Sequence, residues 1–190
     1  MPRKILVIDA HPDSDPGHYD HALAAAYRRG AQGHEVRELR LAELDFPMLR
    51  DPKQWLEGAP PPVIAEAQEQ IRWADHLVFV YPLWLGDMPA LLKAFLEQTM
   101  RPGFAFLYRD NNIPQKLLTG RTSRIIVTMS MPSLLYTMFF RAHSVKSFRR
   151  NILNFVGISP VRQTVIGSVA DEDTRKAWLE RVERLGEAGD

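Results

Sequence analysis

The chain has no cysteine among its 190 residues. This excludes disulfides, thiolate nucleophiles, cysteine-ligated zinc and ordinary iron–sulfur clusters, so any redox chemistry has to be carried by a bound cofactor. Long apolar runs are also missing, and nothing approaches the ~20 residues that a membrane-spanning helix needs. The short apolar start at residues 5–10 ends at Asp9 and His11 with no small-residue cleavage site, which predicts a strand there and no signal peptide. A soluble, cytoplasmic protein is the simplest expectation. Charge of one sign is equally absent: 24 Lys and Arg face 23 Asp and Glu. That balance gives no global field for gripping nucleic acid or an anionic membrane, so nucleic acid is not an expected partner and any anion site must be local. A Walker lysine and a G-x-G-x-x-G fingerprint are lacking too, as are internal repeats and low-complexity tracts.

What is present is an alternation of buried strands and amphipathic helices. With 45% hydrophobic residues the length suits one core, and residues 1–190 are expected to form a single domain. Residues 5–10, 76–81, 123–130 and 161–169 read as strands, the first three as nearly continuous apolar runs of the kind covered on both faces. Val36, Leu39 and Leu41 mark a shorter one. Between them Leu23, Ala26 and Tyr27, then Ile64, Ala67 and Ile71, then Leu92, Phe95 and Leu96 fall at helical spacing. Val145, Phe148, Ile152 and Phe155 form a further stripe, and Trp178, Val182 and Leu185 a terminal one. Gly33 is expected to end the first helix, and Asp87 sits where an N-cap for the third would lie. The proline-rich residues 45–62 read as a surface excursion, and Asp110, Asn111 and Asn112 as a turn. Five strands alternating with five helices predict a doubly wound three-layer α/β/α sandwich with a five-stranded parallel sheet.

Ligands in that architecture sit beyond the carboxyl ends of the strands, which selects three loops. The first runs from His11 through Asp13, Asp15, Gly17, His18 and Tyr19 to His21 and opens a helix, whose unpaired N–H groups suit a phosphate; a solvated, self-capped turn is the alternative. His18 and His21 raise a metal, but no further ligand set accompanies them, so a polar helix face is preferred and no metal is expected. The second, Pro82, Leu83, Trp84, Leu85 and Gly86, places large apolar side chains just past a buried strand, either to meet a flat ligand or partner or to pack over the next helix. The third, Thr128, Met129, Ser130 and Met131, has small polar groups and backbone amides that suit a heterocycle edge.

These residues resemble the flavodoxin-like NAD(P)H quinone oxidoreductases, a family that includes modulators of drug activity, ancillary reductases of potassium-efflux systems and the DT-diaphorase type. The likeness runs from Ile5-Leu6-Val7-Ile8-Asp9-Ala10-His11-Pro12 through Tyr81-Pro82-Leu83-Trp84, Met88-Pro89-Ala90-Leu91-Leu92-Lys93 and Pro102-Gly103-Phe104-Ala105-Phe106 to Thr128. It implies a flavodoxin-like sheet of order 2-1-3-4-5 and a bound flavin, FMN or FAD. It also implies hydride transfer from NADPH or NADH to the flavin and then, in the same pocket by a ping-pong cycle, to a quinone or similar small acceptor.

In that light the loop at His11, Gly17, His18 and Tyr19 would hold the flavin phosphate. Pro82 to Gly86 would line the isoalloxazine, partly through backbone amides, and Thr128 to Met131 would hold its opposite edge. Tyr136 resembles the tyrosine over the hydride-transfer site and His143 its partner, one residue further along than in the diaphorase pattern. Phe106 and Tyr108 resemble aromatics that a neighbouring subunit contributes to the acceptor pocket, which implies a homodimer. Two departures stand out: Asp15, Pro16, Gly17 and His18 replace the usual small polar residues around the phosphate, and Met129 and Ser130 stand where a glycine is common.

Read without the resemblance, Tyr136 belongs to an apolar lid with Leu134, Leu135, Met138, Phe139 and Phe140, and His143 opens a helix. That apolar run is expected to serve as lid and dimer contact. Arg141, Lys146, Arg149 and Arg150 keep a peripheral membrane contact open, and arginines there could equally favour the 2′-phosphate of NADPH. Two further functions stay in view: an electron-shuttle flavodoxin, which the balanced charge disfavours, and a flavin-poor regulatory partner of a transporter, which the altered phosphate loop keeps open.

Overall fold

The structure, a computed structural model, describes residues 1–108 and 113–190. Asp110, Asn111 and Asn112, expected to turn, lie outside the described residues. Five parallel strands form the sheet: β1 (Lys4–Asp9), β2 (Glu35–Arg40), β3 (His76–Pro82), β6 (Thr122–Thr128) and β7 (Val161–Ile166), in the order β2-β1-β3-β6-β7. A separate antiparallel pair, β4 (Phe106–Tyr108) and β5 (Pro114–Lys116), supplies the two intervening numbers. The expected flavodoxin-like order is therefore the observed one. Its register runs Ile5 beside Val36 and His76, then His76 beside Thr122 and Ser123 beside Val161.

Both faces of the sheet are covered, which is why the central strands read as unbroken apolar runs. Ile5, Val7, Val78, Val80 and Ile126 face α1 (Tyr19–Gly30) and α8 (Glu172–Ala188). Leu6, Ile8, Phe79, Tyr81, Ile125 and Val127 face α3 (Pro62–Trp73), α4 (Ala90–Thr99) and a helical run over residues 143–156. That run joins α6 (His143–Ser147) through a π-type stretch (Phe148–Leu153) to α7 (Asn154–Val156). Helices α1 and α8 touch backbone to backbone. A Cβ added at Gly30 would lie 1.9 Å from the Glu183 carbonyl oxygen, and one at Gly186 would lie 2.1 Å from that of Tyr27.

Local chemistry explains where the elements differ from expectation. The first helix ends at Gly30, three residues before Gly33, because residues Ala31–Gly33 tighten into a 3-10 turn that returns the chain to β2. The excursion at residues 45–62 holds one short helix, α2 (Pro52–Leu56), capped by Asp51, which accepts the Lys53 N–H at 2.9 Å. Asp87 is not the cap of α4, which falls to Pro89; the Asp87 main chain closes a tight turn with Trp84. The apolar stretch after Met131, read as a loop, folds into α5 (Ser133–Met138).

Candidate active site

The carboxyl edge of the sheet is tied by one hydrogen bond just past each central strand. Ala10 N–H donates to the Val80 carbonyl (2.8 Å), Leu83 N–H to that of Thr128 (2.8 Å), and Met129 N–H to that of Ile166 (2.9 Å). Thr128 adds a side-chain tie, its hydroxyl donating to both carboxylate oxygens of Asp20 in the first turn of α1, at 3.0 and 3.1 Å. The three loops selected from the sequence all leave from this edge.

The first loop gathers three imidazoles. The His11 and His18 rings stack at 3.9 Å between centroids, and His21 meets His11 edge-on at 5.3 Å. Each is held: His21 Nδ1 lies 2.5 Å from Asp9 Oδ2 and its Nε2 2.8 Å from the Asp13 carbonyl, and His18 Nε2 lies 3.0 Å from Asp13 Oδ2. His11 has its pKa lowered, chiefly by burial and also by the neighbouring histidines, so it favours the neutral ring. The Asp13 carboxyl is held below its usual range by the Asp15 N–H, with His18 adding to it. Among the described residues no cluster has the makings of a metal site.

This loop leads into α1, whose N-cap residue His18 makes no side-chain cap, so the free amides of the first turn remain for an anion. One nearby donor is already engaged: Asp15 Oδ1 accepts the Gly17 N–H at 2.8 Å. Asp15 therefore turns into the loop. An incoming phosphate would compete with a carboxylate for that amide, at a Coulombic cost on the order of 1 kcal/mol in water-like surroundings. Tyr19 leans away, its hydroxyl donating to the Arg175 carbonyl (2.9 Å), and partial burial raises its pKa to about 12.

The second loop is a two-residue hairpin turn. Leu85 (φ 49°) and Gly86 (φ 81°) both adopt left-handed backbone, and Trp84 and Asp87 exchange main-chain hydrogen bonds of 2.9 and 3.0 Å. Positive φ at both central positions is the I′ geometry, which glycine satisfies freely and leucine only under strain. The turn pushes Leu85 fully into solvent and leaves Trp84 48% exposed, with its ring 5.9 Å from His11. Leu83 is half-buried and Pro82 ends β3 in the core. The loop amides are unequal: those of Leu83, Trp84 and Met129 are spent within the fold, whereas among the described residues those of Leu85, Gly86, Ser130 and Met131 donate to nothing. The apolar wall at Trp84, these free amides and the open first turn of α1 fit a flat heterocycle carrying a phosphate. The fit is weakest at Asp15.

The expected pair Tyr136 and His143 is not brought together. Tyr136 is only 1% exposed. Its hydroxyl lies 2.5 Å from Ser144 Oγ and accepts the Val145 N–H at 3.4 Å, while His143 Nδ1 lies 3.0 Å from the Phe140 carbonyl on the exterior. The reason lies in the intervening chain. Arg141 and Ala142 take left-handed conformations (φ 55° and 46°), which swing His143 outward and Ser144 inward. His143 does open α6, as the plain residue reading had it.

Phe106 and Tyr108 are also divided. Phe106 is buried against Trp55, Phe155 and Tyr108, whereas Tyr108 is exposed. They border a cleft of about 620 Å³ walled by Trp55, Leu96, Met100 and Phe155. Only Tyr108 is placed to reach another molecule.

Sequence reasoning gave no role to Asp9 and Asp20 beneath the loop, and weighed His21 only with His18 as a metal pair. Asp20 is buried in the first turn of α1. Burial raises its pKa to about 7, opposed by the Thr128 hydrogen bond and assisted by the Asp9 charge. The only signal available was an aspartate in the first turn of a helix, which ordinarily marks a solvated cap. Gly167 was missed as well. A Cβ there would lie 2.2 Å from the Ser133 N, so its absence lets the end of β7 press against the start of α5.

Comparison with known proteins converges on one group. Residues 3–188 match a family described by its flavodoxin-like fold. An uncharacterized NAD(P)H oxidoreductase of Haemophilus influenzae is 28% identical over 183 residues, covering 92% of this chain and 90% of the relative. An FMN-dependent NADH:quinone oxidoreductase of Nitratidesulfovibrio vulgaris is 24% identical over 97% of this chain and 95% of its own length. Among solved structures, an NAD(P)H:quinone oxidoreductase from Methanothermobacter marburgensis superposes with a TM-score of 0.84 over 98% of this chain and 96% of that one, at 22% identity, a likeness of fold.

Proposed function

The chain belongs to this family of flavodoxin-like fold, and on that footing we propose that it is a flavin-dependent NAD(P)H:acceptor oxidoreductase reducing quinones or similar small acceptors. The observation that carries the reading is the convergence, on one sheet edge, of an uncapped helix N-terminus, a half-exposed tryptophan on a strained turn and four uncommitted loop amides. The names of the full-length relatives support the same chemistry and favour FMN as the flavin.

In this reading the first turn of α1, with His11, Gly17, His18 and Tyr19, holds the phosphate. Trp84 and Leu85 flank the ring on one side, and the amides of Leu85, Gly86, Ser130 and Met131 donate to its polar edges. Preorganised donors of that kind are most useful where negative charge develops during reduction. The flavin, when bound, would supply the hydride exchange between nicotinamide and acceptor. Tyr136 acts as a positioning residue: with its hydroxyl on Ser144 it fixes α5 against α6 and so shapes the wall over the site. His143 stands on the exterior, apart from that bond, with Nδ1 on the Phe140 carbonyl. A homodimer is part of the proposal, with Tyr108 and the adjoining cleft as the face that meets the partner.

The test is the absorbance spectrum of the purified protein. A yellow protein that bleaches on NADPH or NADH and recovers its colour with a quinone supports the reading, and release of the flavin by heat separates FMN from FAD. A colourless protein that takes up neither flavin would overturn it. That outcome would instead support the flavin-poor regulatory reading, which the hold of Asp15 on the Gly17 amide favours.

A further inference from the structure

The chain that follows the third loop carries an apolar ridge that none of the described residues covers. Phe139 and Met138 are 75% and 71% exposed, and Leu134, Leu135 and Phe140 are all more than 40% exposed. Apolar side chains clustered in this way mark an interaction surface on a soluble domain. The ridge is fixed in place. Tyr136 anchors α5 from below through Ser144, Ala142 N–H donates to the Tyr136 carbonyl at 3.0 Å, and the Phe139 and Phe140 rings meet edge-on at 5.1 Å. Two left-handed residues, Arg141 and Ala142, follow the ridge directly, each at a cost of about 1 kcal/mol or more.

Charge identifies what the ridge fits. Arg141, Lys146, Arg149 and Arg150 follow it and are exposed, and among the described residues none of the four forms an ion pair. Residues 129–160 hold these four basic residues and no acidic one, so a chain almost neutral in total carries a purely cationic segment next to its exposed apolar ridge. We propose that this face docks on an anionic lipid bilayer, the ridge entering the boundary between headgroups and acyl chains and the four cations meeting lipid phosphates. A second copy of the chain is the competing occupant. A two-fold contact through one patch brings it against itself, and here that would set four cations opposite four cations with no carboxylate in the segment to answer them. The ridge lies beside the loops of the candidate active site, so docking would open that site toward acceptors dissolved in the membrane; this last consequence rests on the quinone reading.

Flotation of the full chain with vesicles of phosphatidylglycerol and phosphatidylcholine, against phosphatidylcholine alone, tests the surface. Expected are binding to the anionic vesicles only and release as salt rises. Arg149→Glu with Arg150→Glu should lose about fivefold in affinity per charge removed, and Phe139→Ser with Phe140→Ser about tenfold or more, with unchanged circular dichroism. Equal binding to neutral vesicles, or no binding by the folded protein in dilute salt, would overturn the proposal. So would a dimer in solution that the Phe139→Ser and Phe140→Ser variant dissociates, since a second copy would then cover the ridge. Turnover of a water-soluble quinone, measured alongside, separates the two readings: activity without docking removes the bilayer and spares the enzyme, and docking without flavin does the reverse.

Discussion

Replacing Asp20 with asparagine should stabilise the protein at alkaline pH, although it disturbs the centre of the candidate site. Asp20 is 4% exposed, and its carboxylate accepts the Thr128 hydroxyl, with the Asp9 carboxylate on His21 nearby. Burial raises its pKa from 3.8 to about 7, so between those values the folded state holds a proton that the unfolded chain has released. Stability therefore falls as pH rises through this window. With each pKa unit worth 1.36 kcal/mol, the cost of ionising Asp20 in the fold comes to about 4 kcal/mol at about pH 8 and under about 2 kcal/mol at about pH 5. Asparagine keeps an acceptor for the Thr128 hydroxyl and has nothing to ionise. It forfeits the helix-dipole contribution of a first-turn carboxylate, roughly 0.5 kcal/mol, too little to reverse the sign. Urea unfolding of the two proteins at several pH values reads the difference directly. The variant should be more stable by about 2–4 kcal/mol at the alkaline end, with the gap narrowing toward pH 5. Equal stabilities at pH 8, or a gap that does not change with pH, would refute the argument.

Removing the Asp15 carboxylate as Asp15→Ser should tighten FMN binding about fivefold by sparing the phosphate one like charge, read from quenching of flavin fluorescence on titration; weaker binding would mean that Asp15 supports the loop in its ligand-bound form. Gly186→Ala should destabilise by about 2–3 kcal/mol, since its methyl would overlap the Tyr27 carbonyl and the clash exceeds the ~1 kcal/mol that alanine gains in a helix; thermal unfolding measures it. Tyr136→Phe and Ser144→Ala should slow quinone turnover to a similar extent with flavin content unchanged, because both break one bond, whereas a loss confined to the tyrosine variant would indicate a direct proton role. Trp84→Ala, which removes the exposed wall, should weaken FMN binding by about 1–3 kcal/mol, the range for burying a large apolar side chain, as followed by calorimetry.

The sheet was legible because its physics is local and redundant. Strands such as residues 76–82 are buried on both faces, so nearly every position is apolar, and helices such as α4 repeat their stripe over several turns. The three loops were legible through topology, since the chain enters and leaves this edge at fixed points. What stayed hidden depends on single dihedrals or on distant partners. Two consecutive left-handed residues at Arg141 and Ala142 decide that Ser144, and not His143, faces Tyr136, and arginine and alanine give no sign of that conformation in sequence. Phe106 and Tyr108 share a strand of three residues, yet one lies in the core and the other in solvent. Asp20 looks like a helix-capping carboxylate until Thr128, 108 residues away, is placed against it.

The rungs that tie Ala10 to Val80, Leu83 to Thr128 and Met129 to Ile166 also settle where motion can occur around this site. Each loop is fastened at its root within one residue of leaving the sheet, so a ligand cannot enter by prising strands apart without breaking bonds in the most buried part of the molecule. Opening is confined to the tips, at Asp15 to Gly17, Leu85 to Gly86 and Ser130 to Met131, where amides are without a partner among the described residues or held by one side chain. In hydrogen exchange the root amides should report global unfolding and the tips should exchange almost freely. A flavin would then meet a rigid floor beneath a pliant rim, and its rate of arrival would be set by the rim.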